Sequence, residues 1–390
     1  MITISFEGGL GNQLFQFAYA RYVQELFKEN VTYDVSKYIS ENIEYRNFEL
    51  DSFIIPKEWT RKECKGSRIK RFGWKYFIYL IITGIYIKSN KLYARYYKTH
   101  IGSTFYQRLI NLLGFYREHF GEYHEPTQSF CKNKIIRGQW IWPEMVIKQG
   151  EKLKNEIKVI TPLSQSNSYF LSKIQNSNSV GVHIRRGDYV KLGLVVCDIH
   201  YYERCMQKMM DIVKNPTFFI FSDDISWVKT NLKFKGSELI FIDNNNSSPE
   251  DMRLLYSCNH FIMSNSTFSW WGAYLGKYPN KKVIVPEFWS IKKKKSPLIL
   301  NEWIVEKTFN NLMERIISKA IKNFFTKGNQ RTLKAKKNIL LSLIIKGIHI
   351  CTTLLVVPIT INYINATQYG IWLTLSSILG WLSFFVYRSV

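Results

Sequence analysis

Gly181-Val182-His183-Ile184-Arg185-Arg186-Gly187-Asp188-Tyr189-Val190 is an apolar run that passes directly into two arginines, a glycine and an aspartate. A guanidinium carries a planar fork of donors that matches phosphate oxygens, so two of them at the end of a strand read as an anion-binding turn suited to a pyrophosphate. The carboxyl end of a strand is also where open α/β sheets place their ligands. A plain surface turn, with Arg and Asp pairing only with each other, is the competing reading. Downstream the chain alternates between short apolar runs and amphipathic stretches, which predicts a parallel sheet wrapped by helices. Strands are expected near 180–184, 217–221, 239–242, 261–263 and 282–285, with helices near 201–213, 224–232, 249–258 and 268–275. Most strands are followed by polar or capping residues, so the carboxyl edge of this sheet gathers Arg185, Arg186, Ser222, Asp223, Asp224, Asp243, Ser264 and Ser266.

Two further segments sit on that edge. Ser264-Asn265-Ser266-Thr267-Phe268-Ser269-Trp270-Trp271-Gly272 brings hydroxyls and free backbone amides to a helix start, which suits phosphate but equally suits an ordinary N-cap in front of a buried Trp pair. Phe221-Ser222-Asp223-Asp224 places acids where ribose hydroxyls or a base edge could donate to them, or forms a solvated turn. Near the amino terminus, Ile2 to Phe6 reads as a strand, Glu7 to Asn12 as a glycine-rich turn and Gln13 to Phe27 as a helix with Leu14, Phe17, Ala18 and Leu26 at helical spacing. Gly9-Leu10-Gly11 after a strand, with Asp34 further on, invites comparison with a dinucleotide fingerprint. Leu14 stands where the third glycine belongs, and Asn12-Gln13 puts amides where the fingerprint tolerates anything, so that reading is the disfavoured alternative.

Taken in order, F-E-G-G-L-G-N-Q-L-F-Q-F-A, G-V-H-I-R-R-G-D-Y-V, F-S-D-D and S-N-S-T-F-S-W-W-G make residues 1 to about 305 resemble the α-1,2-fucosyltransferases of glycosyltransferase family eleven. The resemblance implies a GT-B type α/β fold of two Rossmann-like domains with a cleft between them. It implies an acceptor-side domain over 1–160 and a GDP-sugar-binding doubly wound domain over 161–305. It further implies an inverting transfer of L-fucose from GDP-fucose to the 2-hydroxyl of a terminal galactoside, in O-antigen or a similar surface polysaccharide, with a lipid-linked acceptor. Residue by residue, Arg185 and Arg186 would hold the diphosphate and neutralise the leaving GDP, and Asp188 would orient them or serve as base. His183 would seat the nucleotide, Asp223 would touch the nucleoside, and Asn265, Ser266, Thr267 and Ser269 would line the phosphates. Gly9, Gly11 and Asn12 would face the donor from across the cleft.

Breaking a sugar–phosphate bond builds negative charge on the departing nucleotide, and fixed cations stabilise that charge more in the transition state than in the ground state. No Asp-x-Asp pair occurs in the chain, so a metal-independent reaction without a cofactor is expected. The general base is open among Asp188, Glu7, Asp198 and His200. Another GDP-sugar or linkage is the alternative within enzymes. From a different class, the chain could be a polysaccharide-export component carrying an inactive transferase domain.

The formal net charge of +24 over 390 residues lacks the basic stripe interleaved with stacking aromatics that nucleic-acid binding uses, so an anionic membrane surface is the expected partner and nucleic acid is not. Cys64, Cys131, Cys197, Cys205, Cys258 and Cys351 show no paired spacing and read as reduced thiols. Met1 enters the first strand at once, so no signal peptide is expected. Tyr76 to Ile87 is apolar but too short to span a bilayer; it reads as a buried helix by default, or as an interfacial patch flanked by Lys70, Arg71, Lys75, Lys88 and Lys91. A basic linker over 306–337 leads to two apolar stretches within 338–390, read as a C-terminal pair of transmembrane helices that resembles the start of an O-antigen flippase. With them the protein would sit on the cytoplasmic face of the inner membrane.

Overall fold

The computed structural model describes residues 1–39, 46–63, 74–97, 104–118, 123–244, 247–290 and 298–308, together with 370, 371, 374, 375 and 377. The chain divides into two compact units, Met1–Asn310 and Asn311–Val390, and everything below concerns the first. Its described residues form two sheets, parallel throughout, as the alternation of strands and helices predicts.

The first sheet has β1 (Ile2–Ser5) at its centre, flanked by β2 (Val31–Asp34) and β5 (Lys134–Arg137), with β3 (Thr60–Lys62) and β4 (Phe115–Arg117) at the edges. Its helices are α1 (Leu10–Phe27), α2 (Ser36–Ile39), α3 (Trp74–Tyr97), α4 (Thr104–Leu112) and α5 (Pro143–Glu156). The second sheet runs β11-β10-β9-β6-β7-β8, where β6 is Asn178–Ile184, β7 Pro216–Ser222, β8 Leu239–Phe241, β9 His260–Ile262, β10 Val283–Pro286 and β11 Ile304–Glu306. Between them run α6 (Gln165–Gln175), α7 (Gly187–Lys191), α8 (Ile199–Ile212), α9 (Ile225–Asn231), α10 (Ser248–Tyr256) and α11 (Thr267–Leu275). β6 is central and covered on both faces, which is why it reads as an unbroken apolar run rather than an alternating one. Its pairing sets Ile184 beside Ser222 and Val182 beside Ile262, so the three motif-bearing strand ends finish together.

A single core joins the two sheets. Phe15 of α1 packs against Trp270 and Trp271 of α11, with ring centroids 4.9 and 5.0 Å away. The Trp pair is therefore an inter-sheet wedge, and burial of large aromatic surface is what holds the halves together.

Several expectations need correction. The helix after β1 starts at Leu10 rather than Gln13: the amides of Asn12 and Gln13 both donate to Gly9 O at 3.0 Å, so Gly11 and Asn12 lie in its first turn. Gly8, with φ of +83°, makes the sharp entry that allows this. The apolar stretch 76–87 belongs to the longer helix α3 and is buried on one face only, not throughout as the default reading had it: Tyr79, Thr83 and Tyr86 are buried while Phe77, Ile81 and Ile85 are exposed. The C-terminal transmembrane pair is also corrected, because no helix among the described residues is long and apolar enough to cross a membrane. Nearly all of 338–390, the 309–337 part of the basic linker and the basic run Lys292 to Lys295 lie outside the described residues. Cys197, Cys205 and Cys258 are free and buried and Cys131 is free and half-buried, while Cys64 and Cys351 lie outside the described residues.

Candidate active site

The turn after β6 carries the two arginines, and each is set by a carboxylate from the turn after β7. Arg185 Nη1 pairs with Asp223 Oδ2 at 3.1 Å and its Nη2 donates to Asp188 Oδ1 at 2.6 Å. The Arg186 amide donates to Asp223 Oδ1 at 2.8 Å, and its Nε donates to Asp224 Oδ2 at 3.2 Å. Asp223 thus binds both the backbone of the turn and the first guanidinium. Gly187 packs against it, since a Cβ there would lie 2.4 Å from Asp223 Oδ2 and the carboxylate would have to shift. Asp224 has a second task, capping α9 by accepting from the Trp227 amide. That cap brings the Trp227 ring under Arg186, whose guanidinium carbon lies 3.3 Å from the ring centroid. Both arginines remain partly exposed, at 22% and 19% of their side chains.

A third arginine joins from the first sheet's side. Arg46 Nη2 pairs with Asp188 Oδ2, so both oxygens of Asp188 are engaged by guanidinium groups. Gly9 leaves room for it, since a Cβ at that position would fall 2.2 Å from Arg46 Nη1. Arg46, Arg185 and Arg186 therefore face Asp188, Asp223 and Asp224 in one cluster between the glycine turn and the end of β6.

The serine loop backs this cluster. His183, buried at the end of β6, approaches Ser264 Oγ at 3.1 Å and Ser269 Oγ at 2.5 Å. Burial lowers its pKa to about 3, with the Arg185 charge acting the same way, so the imidazole is neutral. Ser266 Oγ accepts from the Phe268 amide and caps α11, and Asn265 donates to Leu194 O and Trp289 O. Thr267 Oγ1 donates to Asn12 Oδ1 at 2.9 Å, and Trp271 Nε1 donates to Gly11 O at 3.0 Å. Gly11 packs directly on that helix start, where a Cβ would lie 2.5 Å from Phe268 N. All twelve residues singled out from the sequence thus occupy the ends of β6, β7 and β9 and the glycine turn that meets them. Ser266, Ser269 and His183 are buried and bonded internally, and so shape the loop from beneath.

Sequence reading missed Arg46, which carries no motif and is 142 positions from its partner, and Trp227, whose stacking no local pattern signals. Of the other base candidates, Glu7 pairs with Lys37, Asp198 caps α8 through the Tyr201 amide, and His200 pairs with Glu203 at 2.9 Å. Among the described residues no three His, Cys, Asp or Glu side chains converge as a metal site. A separate cavity of about 600 Å³, lined by Lys154, Tyr274, Lys281 and Trp303 among others, opens at the far end of α11 and contains none of these residues.

This chain is 29% identical over 325 residues to the O-antigen biosynthesis glycosyltransferase WbnK of Escherichia coli, covering 76% of this chain and 97% of that protein. It is 29% identical over 308 residues to an α-1,2-colitosyltransferase of the same organism, covering 74% and 92%. A 108-residue stretch is 36% identical to mouse galactoside α-(1,2)-fucosyltransferase 2, covering 26% and 31%. Among solved structures, the fucosyltransferase NodZ from Bradyrhizobium aligns with a TM-score of 0.42 at 14% identity, over 70% of this chain and 91% of that one. Residues 1–307 match glycosyl transferase family 11 along their whole length, and the chain belongs to that family of glycosyltransferases.

Proposed function

We propose that the protein is an inverting, metal-independent α-1,2-fucosyltransferase that moves L-fucose from GDP-fucose to the 2-hydroxyl of a terminal galactoside in a surface polysaccharide. The observation that carries this reading is the Arg185–Arg186 pair, held by Asp223 and Asp224 at the end of the central strand and stacked on Trp227. In the reaction the bond between the fucosyl anomeric carbon and the β-phosphate oxygen breaks, and its electron pair leaves with GDP. The acceptor 2-oxygen bonds the same carbon from the opposite face, and its proton passes to solvent water. The arginines meet the charge that grows on the diphosphate, the term in such a reaction that fixed cations stabilise most. Asp188, with both oxygens on guanidinium groups, acts in this proposal by positioning Arg46 and Arg185. The O-antigen and galactoside fucosyltransferase relatives support the acceptor class and linkage.

The colitosyltransferase relative favours one second reading, in which the same clamp serves a different nucleotide-linked sugar. Product formation from GDP-fucose with EDTA present, across a panel of β-galactosides, separates the two. Transfer to the 2-hydroxyl that survives EDTA and falls by roughly two to four orders of magnitude in Arg186→Ala supports the proposal. Retained GDP binding without fucosyl transfer to any galactoside would move the assignment to another donor or acceptor.

A further inference from the structure

Helix α3 is amphipathic in the inverted sense. The face it turns to the protein carries Tyr79, Thr83, Tyr86 and Asn90, all buried. Their polar atoms are satisfied inside: Arg117 Nη1 donates to the Tyr79 hydroxyl at 3.2 Å, Thr83 and Tyr106 share a hydrogen bond of 3.1 Å, and Asn90 Nδ2 donates to the Tyr86 hydroxyl at 3.1 Å. The rings stack as well, Tyr79 on Phe115 at 4.4 Å and Tyr86 on Tyr106 at 4.2 Å between centroids. The opposite face brings large apolar side chains to the surface. Trp74, Phe77, Ile81 and Ile85, at spacings of three, four and four, form one stripe with exposures of 66%, 65%, 46% and 62%, and Leu80 and Ile87 widen it. A helix facing water on its outer side shows the reverse pattern, and a contiguous apolar surface of this kind marks an interaction site.

The charge of the segment, read from its sequence, and of Lys88 and Lys91 on the helix selects the partner. Between Glu63 and Glu118 the sequence contains eleven Lys and Arg and no Asp or Glu. Lys88 and Lys91 are exposed on the helix itself. A second copy of the chain would bring like charges together across the stripe, whereas anionic phospholipid headgroups neutralise them while the acyl boundary takes up the apolar side chains. Spanning is not available to α3, because one of its faces is packed against α4 and β4.

We propose that the outer face of α3 docks the protein on the surface of an anionic bilayer, with Phe77, Ile81 and Ile85 entering the headgroup region and Lys88 and Lys91 pairing with lipid phosphates. The assignment is independent of which sugar is transferred. The full chain is floated with phosphatidylcholine vesicles with and without phosphatidylglycerol, at low and high salt, beside a Phe77→Gln/Ile81→Gln/Ile85→Gln variant and a Lys88→Glu/Lys91→Glu variant. Wild type is expected to float with phosphatidylglycerol vesicles and to be weakened by salt, and each variant is expected to lose at least about tenfold in partitioning while keeping the wild-type melting temperature. The charge-reversed variant keeps the test decisive should the triple variant fold poorly. Wild type that stays unbound, or variants that float like wild type, would overturn the proposal. A stable dimer that the triple variant converts to monomer would assign the face to a second copy instead.

Discussion

Gly11→Ala probes the joint on which the two halves of the candidate site depend. The added Cβ would lie 2.5 Å from Phe268 N, 2.6 Å from Thr267 Oγ1 and 2.7 Å from the Thr267 carbonyl carbon. Two of these are backbone atoms, so no side-chain rotation relieves the clash and α1 must move away from the start of α11. Overpacking of this kind costs about 1–3 kcal/mol. The same movement stretches the bonds from Trp271 Nε1 to Gly11 O and from Thr267 Oγ1 to Asn12 Oδ1, each contributing about 1 kcal/mol. Alanine returns up to about 1 kcal/mol through its better helix propensity. The net loss is about 2–5 kcal/mol, which lowers the melting temperature by roughly 3–8 °C in a unit of this size. Gly84→Ala in α3 is the matched control, since nothing lies within 4 Å of its added Cβ, and it should gain up to about 1 kcal/mol. The assay is thermal unfolding of the three purified proteins, with kcat/KM measured alongside, because the joint also aligns the glycine turn with Arg185. A Gly11→Ala protein that melts with wild type and turns over normally would refute the reasoning.

Three other outcomes follow from the same geometry. Trp227→Ala removes the surface under Arg186 and should raise the donor KM by roughly three- to thirtyfold, whereas Trp227→Phe should recover much of it; an unchanged KM in both would show that the stack is incidental. Asp223→Ala frees the Arg186 amide and one guanidinium nitrogen of Arg185, and steady-state kinetics should register a fall in kcat/KM of at least about tenfold with GDP affinity reduced in parallel. His183, neutral in the folded protein, is protonated in the unfolded chain once the pH drops below its ordinary value. The unfolded state then binds the extra proton, so stability is full above about pH 6.5 and declines by about 1.4 kcal/mol per pH unit from this group as the pH falls toward 3. Urea titrations across that window should show the slope in wild type and its loss in His183→Gln; equal slopes would sink the assignment.

Much of the second sheet was legible because its signals are local. A strand covered on both faces must be apolar along its length, and the polar turn residues that follow it cap the next helix, as Asp198, Asp224 and Ser266 do. Composition could not say which way α3 faces. Tyr, Thr and Asn read as the polar side of a helix in water, yet they turn inward here because Arg117 and Tyr106 supply their hydrogen bonds. Hydroxyls of Ser266 and Ser269 were legible as part of the loop, but their burial was not, since it depends on His183 lying beneath Ser269 and on α11 packing above.

By itself the sequence determined the alternation of strands and helices, the placement of Arg185, Arg186 and the serine loop at strand ends, and the family resemblance those motifs carry, because each is written in the order and spacing of neighbouring residues. Only the tertiary structure decided that Asp223 locks the arginine turn, that Arg46 reaches Asp188, that Trp227 supports Arg186, and that Gly11 must be small where α1 meets α11. These are contacts between segments far apart in the chain, fixed by how two sheets pack over a shared aromatic core, and close packing leaves room for only one arrangement of them.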